Sequence, residues 1–308
     1  MAIKEEKIEK GNIEIHTENI LPIIKKWLYS ENEIFVRELI SNAHDAIVKL
    51  QKINTIESLG LSIEPKITIN FDEKANTITI SDNGLGLDAD EVKKYINQIA
   101  FSGAEDFIKK YKDKDDKEQV IGHFGLGFYS SFIVSDKVEI HSLSYKKDSQ
   151  SIFWSCDGTT EFSLARGDRK SVGTDIVLHI NEDSKKYLNE FQLKSLIEKY
   201  ANFIPVKIYL KDKQVNHENP LWIKSPSECK DEDYKEFYKK LFPMNAEPLF
   251  WIHLNVDYPF HLQGILYFPK LLHELDSNKG NVKLFCQQVF VTDEAKGVIP
   301  EFLTLLQG

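Results

Sequence analysis

Cysteine is scarce in this chain of 308 residues: Cys156, Cys229 and Cys286 are the whole set, far apart, odd in number and without a CxxC pair. That excludes a disulfide framework and a zinc site built on paired thiolates. Long apolar runs are missing too. The opening MAIKEEKIEKGN lacks the apolar centre of a secretory signal, and no window approaches the ~18 uninterrupted apolar residues of a membrane span. Positive charge is in deficit, with 39 Lys and Arg against 48 Asp and Glu and a formal net charge of −9. Such a chain has no broad basic face, so neither nucleic acid nor a membrane is an expected partner. No internal repeat and no GK[ST] phosphate loop occur.

What is present is soluble globular material, 42% hydrophobic and 28% charged, with 15 Gly and 10 Pro, long enough for about two domains. The simplest address is a reducing cytoplasm. Residues 19–29 and 33–52 read as successive helices, the second opened by Ser30 as N-cap with Glu33 three residues on. Ile67, Ile69 and Phe71, then Ile78 and Ile80, alternate about a turn and predict a β-hairpin with one buried face. Asp88 to Phe101 is helix-like, and the mixed charges of KKYKDKDDKEQ at 109–119 read as a solvated loop. Gly122 to Gly127 leads into an apolar helix, FYSSFIV. Strands follow at 137–143, 151–156, 174–180 and 206–210, with a helix at 191–200. Helices and strands interleave without strict βαβ order, which predicts an α+β sandwich. A polar stretch at 211–219 marks a boundary. Beyond it FWIHLNV and LQGILYF alternate as strands, and the chain stops in the helix-like Leu305 to Gly308, as an incomplete second domain would.

Three segments can carry chemistry. On a helix, Glu38, Asn42 and Asp45 share one narrow arc. Alone, that arc equally describes a solvated face opposite Ile40, Ala43, Ile47 and Leu50, and Lys49 reads as an i,i+4 surface partner of Asp45. Asp82 ends an apolar strand before Asn83-Gly84, with Gly86 just beyond. This is either plain turn chemistry or an acceptor-only carboxylate for an exocyclic amine, beside a backbone that a flat ring can approach. Gly122, Gly125 and Gly127 end at a helix N-terminus, where unpaired N–H groups favour phosphate. If the three converge, Asn42 offers Mg²⁺ a hard oxygen and Glu38 stands one turn away to orient or deprotonate a water attacking a γ-phosphate.

ELISNAHDA, SDNGLGL, GHFGLGFYSSFIV and GTDI, in that order and at these spacings, resemble the ATP-binding fold shared by DNA gyrase B, the ninety-kilodalton heat-shock chaperones, sensor histidine kinases and MutL. TENILPIIKKWLYSENEIFVRELISNA, NPLWIKSP and VFVTDEAKGVIPEFL extend the likeness to nearly the whole chain and are most similar to the chaperones of the bacterial high-temperature protein G type. The resemblance implies a GHKL (Bergerat) α+β sandwich, a mostly antiparallel sheet with helices on one face, over residues 1–215 with a lid at about 100–129. Residues 216–308 would then be the first part of an α/β middle domain. It implies an ATP-dependent chaperone that binds ATP or ADP with Mg²⁺ and remodels non-native client proteins. By carry-over Glu38 activates water, Asn42 holds Mg²⁺ and Asp45 hydrogen-bonds within the pocket. Asp82 holds adenine with Gly86 and, through water, Thr174, while Leu87 lies against the base. Ser102, Gly103, Gly122, Phe124, Gly125, Gly127 and Phe128 form the lid around the phosphates. Residues 1–17 match a strand that the family exchanges between protomers.

Four positions depart from the family pattern. Phe101 stands where a lysine is usual, Asn97 replaces a glycine, Leu87 replaces a methionine, and His44 replaces a smaller residue and is expected to face away from the arc. The middle-domain arginine for the γ-phosphate and the dimerising third domain have no counterpart in these residues. The expectation is a monomeric chain that binds ATP and turns it over poorly, since such an arginine is worth ~10³ or more in rate.

Overall fold

The computed structural model describes residues 31–99, 103, 107, 125–217, 219–258, 261–270 and 282–293. The expected helix at 19–29, the exchanged strand at 1–17, Phe101, Ser102, Gly122, Phe124 and the charge run at 109–119 lie outside the described residues. Helix α1, Ile34–Ile56, has Glu33 as its N-cap with no hydrogen bond from that side chain, while Ser30, the cap expected from sequence, lies outside the described residues. The helix is held by its apolar stripe: Phe35, Leu39, Ile40, Ile47 and Leu50 are all buried.

The hairpin of β1, Lys66–Asp72, and β2, Thr77–Asp82, forms where alternation places it. Helix α2, Ala89–Tyr95, is shorter than the expected 88–101 and opens on a full capping box between Asp88 and Glu91. A 3₁₀ turn at Gly127–Ser130 runs into α3, Ser131–Val134, so FYSSFIV is helical but starts tightly wound. Then come β3, Ser135–Leu143; β4, Ile152–Cys156; β5, Ser163–Arg166; β6, Gly173–Ile180; α4, Glu190–Ala201; β7, Lys207–Leu210; and β8, Lys213–Gln214. Strand β5 escaped the sequence reading because only its second residue is even half-buried, which leaves no alternation to see.

These eight strands make one sheet in the order β5-β4-β3-β6-β2-β1-β7-β8, antiparallel throughout except where β1 runs parallel to β7. One face is apolar. Ile67, Ile69, Ile78, Ile80, Val138, Ile140, Leu178 and Ile208 are buried beneath the helices. The alternate residues, such as Thr79, Glu139 and His179, carry the opposite polar face. This is the α+β sandwich that the interleaving predicts.

The polar 211–219 stretch supplies β8 and the buried Asn216, whose side chain accepts from Ile208 N–H and donates to the carbonyls of Ile204 and Val206. It is therefore part of the sheet's edge. Beyond it lie α5, Asp231–Leu241, the hairpin of β9, Phe250–Val256, with β10, Leu262–Phe268, and the pair β11, Leu284–Cys286, with β12, Val289–Thr292. A second core cluster gathers Tyr234, Phe237, Tyr238 and Tyr267 around Leu221 and Phe203.

Candidate functional site

Helix α1 joins the three segments. At its first turns, Glu38 lies against the glycine segment: a Cβ built on Gly127 would stand 2.5 Å from Glu38 Oε2. Two turns further on, the Asp82 turn leans on the same helix. Leu85 N–H donates to Ala46 O at 3.1 Å, and a Cβ on Gly84 would meet Ala46 C at 2.5 Å. At Gly84 the neighbour is main chain, so only glycine fits, whereas a Cβ at Gly127 would have to displace the end of the Glu38 side chain. The step of eight residues from Glu38 to Ala46 spans ~12 Å of helix axis, and Asn42, half-buried, sits midway.

The far end of the site is a row across three strands. Register pairs Asp82 with Thr174 and Thr174 with Ser142, and all three are buried on the sheet's helix-covered face. Ser142 Oγ accepts from Leu87 N–H at 2.8 Å, donates to Gly173 O at 3.0 Å and lies 2.9 Å from Thr174 Oγ1. Asp82 Oδ1 accepts from Gly84 N–H at 2.8 Å, which holds the turn closed. Burial pushes the Asp82 carboxyl up to about 7, against the opposing pull of the Gly84 N–H and the Arg169 guanidinium. Gly86 has φ +63° and would drive a Cβ to within 1.9 Å of Leu143 O, so its backbone must stay bare.

At the opposite end, Glu38 Oε1 accepts from Arg37 Nη2 at 2.7 Å and Nε at 3.0 Å. Asp45 is buried with its Oδ1 3.5 Å from His44 Nδ1, so His44 turns toward the arc's carboxylate instead of facing away. Lys49 is not a surface partner. It is half-buried, with Nζ 5.7 Å from the centre of the Phe107 ring, and burial holds its ammonium below the ordinary value while Asp45 works the other way. Gly125 takes φ +63°. Gly103 packs on α2, where a Cβ would lie 3.3 Å from the Tyr95 ring. The Phe128 ring points into the core against Trp154 and Phe132, leaving only its main chain for the site. Asn97, where a glycine was expected, accepts from Trp154 Nε1 at 3.0 Å, and Tyr129 Oη donates to Ile96 O. Together these bonds pin the end of α2 to β4 and the 127–134 segment.

Ser142, Arg37 and Arg169 are absent from the sequence-based set. Ser142 alone had a signal, a hydroxyl at a position where strand alternation calls for an apolar residue. Among the described residues no cluster of three His, Cys, Asp or Glu can hold a metal ion.

Residues 29–184 match the model of the histidine kinase-, DNA gyrase B- and HSP90-like ATPases, and residues 210–308 match the Hsp90 protein model. Chaperone protein HtpG of Bacteroides thetaiotaomicron is 52% identical over 321 residues, 98% of this chain and 46% of that protein. HtpG of Porphyromonas gingivalis is 49% identical over 316 residues, 97% of this chain and 46% of its own length. The mitochondrial TNF receptor-associated protein 1 homolog of Dictyostelium discoideum is 35% identical, covering 97% of this chain and 43% of that protein. The chain thus spans about half the length of the curated relatives it matches.

Proposed function

This chain belongs to the Hsp90 family, and from that premise we propose that it is the ATP-binding portion of an ATP-dependent molecular chaperone that remodels non-native proteins. The observation that carries the reading is the span of α1, with Glu38 under Gly127 at one end and the Asp82 turn docked on Ala46 at the other. Asp82 takes the exocyclic amine of adenine, with Thr174 and the bare backbone of Gly86 beside the ring and Leu87 against its face. The glycine segment around Gly125 and Gly127 meets the phosphates, joined by Ser102, Gly103, Gly122, Phe124 and the main chain of Phe128. Asn42 supplies an oxygen to Mg²⁺, whose role when bound is to neutralise phosphate charge, and Asp45 completes the polar arc. Glu38, once released from Arg37, orients and deprotonates water.

Residues 1–215 form the nucleotide domain in this proposal and 216–308 the beginning of a middle domain. The full-length protein works as a cytoplasmic homodimer that binds neither nucleic acid nor membrane. By itself, the 308-residue span is monomeric in this proposal and turns ATP over slowly.

The Arg37–Glu38 pair favours a second reading, a nucleotide-binding module without turnover, because Glu38 Oε1 already accepts two hydrogen bonds from the Arg37 guanidinium and is committed to it before any water is met. Calorimetry and phosphate release separate the two. Asp82→Asn should abolish ADP and ATP binding, and Glu38→Ala should bind ATP as the parent does while losing hydrolysis. Parent-like binding by Asp82→Asn would refute the pocket, and parent turnover no faster than Glu38→Ala would select the second reading.

A further inference from the structure

Behind the adenine end of the site lies a buried cation that the proposed function does not use. Arg169, in the loop between β5 and β6, has a side chain only 12% exposed. Its Nη2 donates to Asp82 O at 3.1 Å, its Nε to Ser171 O at 3.0 Å, and its Nη1 pairs with Asp175. Its own N–H donates to Ser151 Oγ at 3.0 Å, which ties the loop to β4. Gly173 makes room for this arrangement: at φ +127° a Cβ would stand 2.2 Å from Asp82 O and 3.0 Å from Arg169 Nη2. A bare residue, a buried guanidinium and a strand end thus meet at the main chain of the residue expected to read the base.

We propose that Arg169 is a positioning residue for nucleotide recognition: from the sheet's far side it fixes the main chain of Asp82 and supplies the positive charge that offsets the ionised carboxylate. This rests on the nucleotide reading of the pocket. The geometry separates the two jobs of the guanidinium. Nη2 grips the peptide oxygen, while the net charge acts through the strand on the carboxylate, whose protonated form trades acceptor capacity for an O–H donor and so suits adenine's amine less well. Among the described residues the charged groups acting on Asp82 are Arg169 and Asp175, with opposite sign. The helix and turn side contributes the Gly84 N–H, and β6 contributes the Thr174 N–H. Removing either charge must therefore move recognition along the pH axis in opposite directions.

The experiment measures the ADP dissociation constant by calorimetry from about pH 5.5 to about pH 9 for the parent, Arg169→Gln, Arg169→Lys and Asp175→Asn. The ratio of variant to parent at each pH cancels the ligand's own phosphate ionisation. For Arg169→Gln the ratio should be smallest at the alkaline end, where only the lost grip on the Asp82 main chain weakens binding, and climb a further ~tenfold toward the acid end, as an upward shift of about one pH unit in the carboxylate requires. Arg169→Lys, which keeps the charge, should give a flat ratio, and Asp175→Asn a ratio that falls below one at the acid end. A pH-independent ratio for Arg169→Gln overturns the proposal, since a mere strut weakens binding equally at every pH. Should Arg169→Gln fail to fold, a ratio for Asp175→Asn that does not fall at acid pH overturns it as well. If the parent binds no ADP, or Asp82→Asn binds as the parent does, the nucleotide reading itself has failed, a result distinct from a flat ratio.

Discussion

Asp82 is where recognition and stability oppose each other. An unfolded aspartate titrates near 3.9, whereas burial pushes Asp82 up to about 7 in the folded chain. Between those values the folded state keeps a proton that the unfolded state has lost, so stability falls as pH rises from about 4 to about 7. Asp82→Asn should therefore stabilise the ligand-free protein near pH 8 by on the order of 2–4 kcal/mol while it abolishes nucleotide binding. Urea unfolding at about pH 5 and about pH 8 reads this out, and a variant no more stable than the parent at the higher pH contradicts it. Gly127 offers a second residue-scale expectation. A methyl group there meets Glu38 Oε2, so Gly127→Ala should lower phosphate release at least about tenfold by displacing the base, a 1 Å misplacement being worth up to about 10² in rate. ADP affinity, anchored at the other end of α1, should change much less.

At the scale of elements, the adenine end is a row of residues on β2, β6 and β3 joined through one hydroxyl. Ser142 is fully buried and satisfies Leu87 N–H and Gly173 O together. Ser142→Ala removes the hydroxyl without adding bulk and strands both groups, so it should cost about 1–3 kcal/mol in denaturant unfolding and weaken ADP binding by loosening the turn. Parent-like stability would show that the row is not held through this hydroxyl. The elements themselves were legible wherever burial is one-sided: α1, the β1–β2 hairpin, β3, β6 and α4 fall close to where periodicity puts them. Legibility failed in two kinds of place. Strand β5 carries no buried residue because it is an edge, and α1 begins at Glu33 without a hydrogen bond from that side chain, so no local capping signal marks its start.

At the scale of the whole molecule, Phe203 connects the two cores. It follows α4 directly, and its ring meets Trp222 at 4.8 Å, Phe285 at 5.4 Å and Phe237 at 5.8 Å. Its neighbour Ile204 belongs to the core of the large sheet. Phe203→Ala should cost about 3–5 kcal/mol and split a single melting transition in two, followed by calorimetry or tryptophan fluorescence. One cooperative transition in the variant would show that other contacts couple the halves.

The candidate site was readable as three separate segments because glycines at tight turns, an acidic arc on one helical face and a carboxylate at a strand end are local signatures. The sequence alone determined those residue types, their order and hence the family. Their convergence belongs to the tertiary structure. Only packing brings Gly127 onto Glu38 and Gly84 onto Ala46, half-buries Lys49 and buries His44, and turns the Phe128 ring into the core. Arg169 is the limiting case. Nothing near it in sequence singles it out, because its partners Asp82 and Asp175 stand on strands that become neighbours only when the sheet forms.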